Sequence, residues 1–376
     1  MHTGIMQLPL HDGKAPRWLV ERMKMLSYLI VKAIVLEHGY GTLLARLSDP
    51  LWFQAFGCVL GYDWHSSGVT TVVTGVLKQA LAEHDHDLGL MVAGGKGKSA
   101  FKACEELVTI CDTFNIRSSK MDELLYASKM TAKVDSILLQ DKHELYHHAM
   151  LVAEDGTWAV VQQGMDVNAK TARRYHWLNA KRFVDEPRSG IIGSSVLDNI
   201  LDMTAKESGE CRKVCVDIAN EKNVISSVQL LFKQSVLDTW IDRYDDNKHC
   251  NSNSNIGDGR GNAKAIEIYV MPEHIDWDVF KRIYDVHPSN YEELVAVKGV
   301  GASTIRALAL VAELIYGARP SWRDPVKFTF AHGGKDGVPY PVDRRTYDES
   351  IKVLREAIEG LDVDHRVRKD MLMRLC

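Results

Sequence analysis

A chain of 376 residues is long enough for two or three domains, and at 45% apolar and 26% charged residues it has the make-up of a globular protein. A net charge of −4 excludes a generally cationic surface, so any anionic partner has to be met by local patches. The seven cysteines form no C-x-x-C pair, and Cys211 and Cys215 lack companions for a zinc site, so reduced thiols and a cytoplasmic location are expected. Neither a signal-peptide core nor an 18-residue apolar run occurs, so no membrane span is expected.

Residues 4–18 hold two prolines and two glycines and read as an arm. Apolar spacing predicts a helix over 18–38 ending near Gly39, and a second over 42–46 closed by Ser48-Asp49-Pro50. The dense stretch 51–76 carries aromatic residues and then the polar run Asp63-Trp64-His65-Ser66. That run is either a ligand-binding cluster beside the core or a turn whose Asp63 and Ser66 cap the next element. The stretch LGLMVAGGKGKS (88–99) predicts a strand entering a glycine-rich turn. Its Lys96 and Lys98 suit a phosphate, although the P-loop spacing is absent and a solvated turn is the plain alternative.

Residues 101–133 read as two helices meeting around 115–119. The clearest hairpin signal follows: ELYHHAMLVA (144–153) and TWAVVQQG (157–164), separated by Glu154-Asp155-Gly156. Strand alternation puts His147 and His148 on opposite faces, and likewise Gln162 and Gln163. Arg173, Arg174, Tyr175 and Trp177 interleave cations with aromatics, as expected beside a nucleic-acid backbone. Residues 190–246 read as helical, and 245–262 as an Asn/Ser/Gly-rich loop.

The stretch LVAVKGVGASTIRALALVAE (294–313) predicts helix, tight turn, helix. Gly299 and Gly301 flank Val300, and the second helix begins with free amides that favour a phosphate. This is the pattern of a helix-hairpin-helix, in which Lys298, Gly299, Val300, Gly301, Ser303, Thr304 and Arg306 would grip DNA by its backbone. The plain alternative is an ordinary helical corner with Val300 in the core. The Pro/Gly-rich segment from 319 is expected to wrap over another surface, with a helix after it.

The expected architecture is α+β (mixed α/β). Residues 1–186 form an N-terminal α/β domain with a β-hairpin, 187–318 a mainly helical domain holding the helix-hairpin-helix (about 291–315), and 319–376 a wrap-around segment and terminal helix. The stretches LPLHDGKAPRWL, DPLWFQAFGCVLGYDWHSSGVTTVV, GGKGKS, AKVDS, LQDKHELYHH, WAVVQQGM, ARRYHWL, KGVGASTIRALALVAELIYGARPSWRDPVKF and AHGGKDGVPYPVDRRTYD resemble a family of archaeal and bacterial proteins known as domain of unknown function 763. The resemblance spans nearly the whole chain and implies no particular activity. The hairpin alone is similar to that of helix-hairpin-helix DNA glycosylases, where a proline-containing segment leads to a catalytic Asp. Pro320 and Asp324 stand at a similar spacing here, while Ser303 replaces the lysine of the bifunctional members.

Three functions follow from this reading. The first is a metal-dependent nuclease in DNA repair or processing: Asp63, Asp135 and Asp141 hold Mg²⁺ or Mn²⁺, His65, His147 and His148 move protons, and Lys96 and Lys98 neutralise phosphate. The second is a metal-free lyase acting on abasic sites through Lys96 or Lys133. The third is a non-catalytic DNA-binding subunit working with repair or recombination proteins.

Overall fold

The computed structural model describes residues 16–62, 67–84, 87–193, 196–231 and 270–326. Helix α1 (Arg17–Leu47) is two helices joined across Gly39, at φ 78°. Helix α2 (Pro50–Val59) starts on a proline, and the Asp49 carboxylate caps it by accepting from Leu51 N and Trp52 N. Helix α3 (Gly68–Glu83) forms despite its β-branched composition. Val69, Val73, Val76, Leu77, Ala80 and Leu81 make a buried stripe of helical period, and this packing outweighs local propensity.

Strand β1 (Leu90–Lys96) leads through Gly97 into the short α4 (Lys98–Phe101), and then come α5 (Ala103–Thr113) and α6 (Ser118–Ile137). After the two-residue β2 (Leu139–Gln140) follow β3 (Glu144–Ala153), β4 (Trp158–Asp166), β5 (Thr171–Leu178) and β6 (Gly190–Ile192). They form a five-stranded antiparallel sheet in the order β1-β3-β4-β5-β6. The expected hairpin is present: Gly156 N donates to Ala153 O, and the Asp155 carboxylate holds Thr157 N.

The expectation of helix throughout 190–246 is corrected at its start. Residues 190–192 pair with β5, and β7 (Leu201–Asp202) pairs with β2. Such short strands are set by a partner distant in sequence, so no local period announces them. Helix α7 (Gly209–Ala219) then follows, and after the next described segment begins come α8 (Trp277–Val286), α9 (Tyr291–Ala296) and α10 (Ala302–Leu314).

Both faces of the sheet are covered. Leu90, Val92, Ala149, Leu151, Ala159 and Val161 pack with α1, α2 and α3. Ala93, Met150, Val152, Trp158, Val160 and Trp177 pack with α5, α6, α7 and the helices from α8 onward. The second core is continuous across Glu186, running from the sheet to Leu308 and Val311 of α10. Each fully buried Leu, Val or Phe in these layers contributes about 1.5–3 kcal/mol. The start of the wrap-around segment returns to the sheet end: Asp202 N donates to Ser321 O, and Asp324 and Val326 are buried there. No helix among the described residues is long and apolar enough to cross a membrane.

Candidate functional site

Doublets of polar residues cross the middle of the sheet, and pleating sends the members of each doublet to opposite layers. His148 pairs with Gln162, and Gln162 with Tyr175; one step along, His147 pairs with Gln163, and Gln163 with Arg174. The first row faces α6 and the second faces α3.

On the α6 side the hydrogen bonds define one direction. Gln162 Nε2 donates to Asp135 Oδ2, so Gln162 Oε1 accepts, and His148 Nδ1 at 2.8 Å carries the proton. His148 Nε2 is then the acceptor for the Ser128 hydroxyl at 3.0 Å. Asp135 also accepts from Trp177 Nε1 at 2.9 Å and from Arg188 Nε. Burial pushes the Asp135 carboxyl up, and Arg188 and Trp177 offset this only in part. Asp141, close by, accepts from Arg173 Nη1 at 3.1 Å and the Tyr175 hydroxyl at 2.8 Å. Burial would raise Asp141 too, but His143, Arg173 and Tyr175 together hold it below the usual carboxylate range. Arg173 reaches on to Asp324 with both terminal nitrogens, and Asp324 also accepts from Leu197 N at 2.7 Å.

On the α3 side the Thr74 hydroxyl donates to Thr70 O at 2.7 Å, so it accepts from His147 Nε2–H at 3.0 Å. Gln163 accepts from Thr70 and donates to Ser67 O and the Tyr146 hydroxyl. Arg174 donates to Gln54 Oε1 at 3.1 Å and lies over the Phe53 ring, and burial brings its guanidinium down to about 9. His176 Nδ1 donates to Leu47 O, and burial together with Arg174 keeps this imidazole neutral.

These positions correct several expectations. Arg173, Arg174, Tyr175 and Trp177 are buried, so they build the interior of the sheet and not a basic, aromatic surface for nucleic acid. Asp135 and His148 do come together through Gln162, and Asp141 lies beyond Tyr175 on the same side. His147 faces the other layer, while Lys96 and Lys98 are exposed, so the candidate catalytic set does not converge as expected. Asp63 and His65 lie outside the described residues. Asp135 and Asp141 do not fit Mg²⁺ or Mn²⁺: their oxygens already accept from protein donors, and Arg188 and Arg173 stand where a cation would bind. Asp324 is likewise tied to Arg173 and is not offered to a ligand as a glycosylase-like acid would be.

The glycine-rich turn is also occupied from within. Gly94 N donates to Glu106 Oε2 at 2.7 Å, and Lys78 Nζ binds the same oxygen at 2.6 Å and Gly94 O at 2.8 Å. The amide expected to meet a phosphate meets the chain's own carboxylate. Ser128 and Arg188 belong to the network on the α6 side although no local motif marks them. The spacing Ser128, Thr131, Asp135 on one helix face was the available signal for a buried polar stripe in α6.

The corner between α9 and α10 is a separate feature. Gly299 sits at φ 93°, and a Cβ there would lie 2.7 Å from Arg282 Nη2 and 3.1 Å from Val279. Gly301 is extended at φ −130°, and a Cβ there would meet Gly299 O at an ordinary 3.9 Å, so only the first glycine is required by conformation. Val300 is buried and anchors the turn, Lys298 and Ser303 are exposed, and no side chain caps α10. Thr304 is buried, and Arg306 donates to Val270 O and lies over Trp322, so these two face protein. Helix α6 supports the corner: Lys133 Nζ donates to Val297 O at 2.8 Å and Gln140 Nε2 to Ala302 O at 2.9 Å.

Residues 4–342 match the family described as protein of unknown function DUF763. The chain belongs to this family. The match takes in the sheet, both polar rows and the α9–α10 corner, so they are parts of one family domain. No curated protein and no solved structure matches the chain.

Proposed function

We propose that the α9–α10 corner is a helix-hairpin-helix and that the protein binds DNA through its phosphate backbone. The observation that carries this is the turn itself: exposed Lys298 and Ser303 beside the uncapped start of α10, held from beneath by Lys133 and Gln140. Backbone recognition is independent of base sequence and depends steeply on salt. Fluorescence anisotropy with two unrelated duplexes across a salt series tests it. Equal affinities whose logarithm falls linearly with log salt are expected, with weaker binding and a shallower slope in Lys298→Ala. Tight sequence-selective binding that ignores salt would sink the reading.

The role favoured by the described residues is binding, as a subunit acting with repair or recombination proteins. A nuclease would have to draw on Asp63 and His65, because Asp135 and Asp141 are engaged by arginines. One observation favours a second chemical reading, an abasic-site lyase. Burial lowers the pKa of Lys133, and its amine lies at the turn that would hold DNA. Borohydride trapping of an abasic duplex should then give an adduct that Lys133→Ala abolishes and EDTA does not; no adduct with the wild-type protein excludes it.

A further inference from the structure

A polyanion approaching a chain of net charge −4 needs a local excess of cations. Around the α9–α10 turn that excess is drawn from three elements. Lys298 is exposed in the turn. Arg282 of α8 lies against it, with Nη2 2.7 Å from the point a Cβ on Gly299 would occupy. Helix α6 turns a stripe toward the same place: the Tyr126 hydroxyl donates to Glu292 at 2.9 Å and Lys133 Nζ to Val297 O. Lys129, three residues after Tyr126 and four before Lys133, falls on that stripe and is exposed.

The neighbouring acids keep their charge, but Glu292 and Glu293 are held by neutral donors and not by these cations. Glu292 accepts from Tyr126 and Phe183 N, and Glu293 accepts from Ser289 and Asn290. Asp276 stands 3.9 Å from Arg282 with both side chains about half exposed, a geometry that solvent screens.

Building on the backbone-binding reading, we propose that the anion-binding surface extends beyond the turn, with Arg282 on one flank and Lys129 on another. Its ligand is therefore a continuous phosphodiester strand and not a single phosphate or mononucleotide. Each phosphate neutralised releases counterions and adds about 0.9 to the slope of log affinity against log salt on duplex DNA, or about 0.7 on a single strand.

The test is the salt slope of the full chain and of Arg282→Ala, Lys129→Ala and Lys298→Ala, on duplex DNA, single-stranded DNA and RNA of equal length. Each substitution should lower the slope by about one contact. Arg282→Lys and Lys129→Arg should restore it, which separates charge from folding. Inorganic phosphate and a mononucleotide at equal phosphate concentration should compete poorly. If Arg282→Ala and Lys129→Ala keep the wild-type slope while Lys298→Ala loses it, the extended surface is wrong and the turn alone binds. If the wild-type chain binds none of the three polymers at low salt, both readings fall together. The ranking of the three polymers identifies the source of the strand.

Discussion

The Lys133 ammonium reaches from α6 to the carbonyl of Val297, 2.8 Å away, at the point where α9 gives way to the turn. This bond ties the corner to the helix that also carries Asp135 and Ser128. Lys133→Met keeps the buried stem and removes the donor. It should lower stability by about 1 kcal/mol, read from urea unfolding, and weaken DNA affinity several-fold because the turn is less preorganised. Unchanged affinity would mean that the bond does not set the turn.

The two glycines of the turn should behave differently. Gly299→Ala combines a positive φ with a collision at Arg282 and should cost about 1–3 kcal/mol. Gly301→Ala, in extended backbone where a Cβ makes only an ordinary contact with Gly299 O, should melt within a few degrees of wild type. Equal losses at both positions would contradict the described geometry.

Asp324→Ala takes one carboxylate partner from the buried Arg173 and frees the segment that returns to the sheet. Removing one member of a buried pair is expected to cost about 3–5 kcal/mol. Lys213→Ala, which breaks an exposed pair with Glu210, should change stability by less than about 0.5 kcal/mol. Unfolding midpoints of both variants, measured side by side, decide it.

Three buried histidines predict acid sensitivity. Burial pushes His147 down to about 3 from 6.5, and it lowers His148 and His176 as well. The folded state thus excludes protons that the unfolded chain binds below pH 6.5. Stability is full above that value and declines as pH falls, by up to about 1.4 kcal/mol per pH unit for each histidine over the window down to its folded value. Urea midpoints from pH 8 to 5 should show this slope, and His147→Gln should flatten it by a third or so. A midpoint independent of pH over that range would refute the neutral, buried assignment.

The sequence carries clear signals where the structure is local. The break at Gly39, the boundary at Ser48-Asp49-Pro50 and the alternation around Glu154-Asp155-Gly156 each depend on a few adjacent residues. The α5–α6 corner at Asn115, with φ 52°, is of the same kind. The candidate site was harder because its partners are distant. Arg173 reads as a surface cation until Asp141, 32 residues away, and Asp324, 151 away, are brought to it by the fold. Asp135 and Asp141 are ordinary carboxylates in the sequence, and composition carries no sign that arginines, and not a metal, face them. The strands β6 and β7 were missed for the same reason.

The doubled residues in the sheet carry an ambiguity of alignment. Val160-Val161-Gln162-Gln163 offers Val and Gln to one layer and the same pair to the other, so β4 displaced by one residue would present nearly identical chemistry to both. His147-His148 and Arg173-Arg174 extend the degeneracy to its neighbours. What breaks the tie lies at the ends of the strand. A Cβ at Gly164 would come within 2.8 Å of the His143 carbonyl, so neither Gln163 nor Met165 can take its place, and Trp158 is seated against Phe183 in the layer of α6. The hairpin is therefore indexed by one missing side chain and one large one, and a single-residue insertion at 154–157 would have to be absorbed within the turn, because displacing β4 would put both markers out of place.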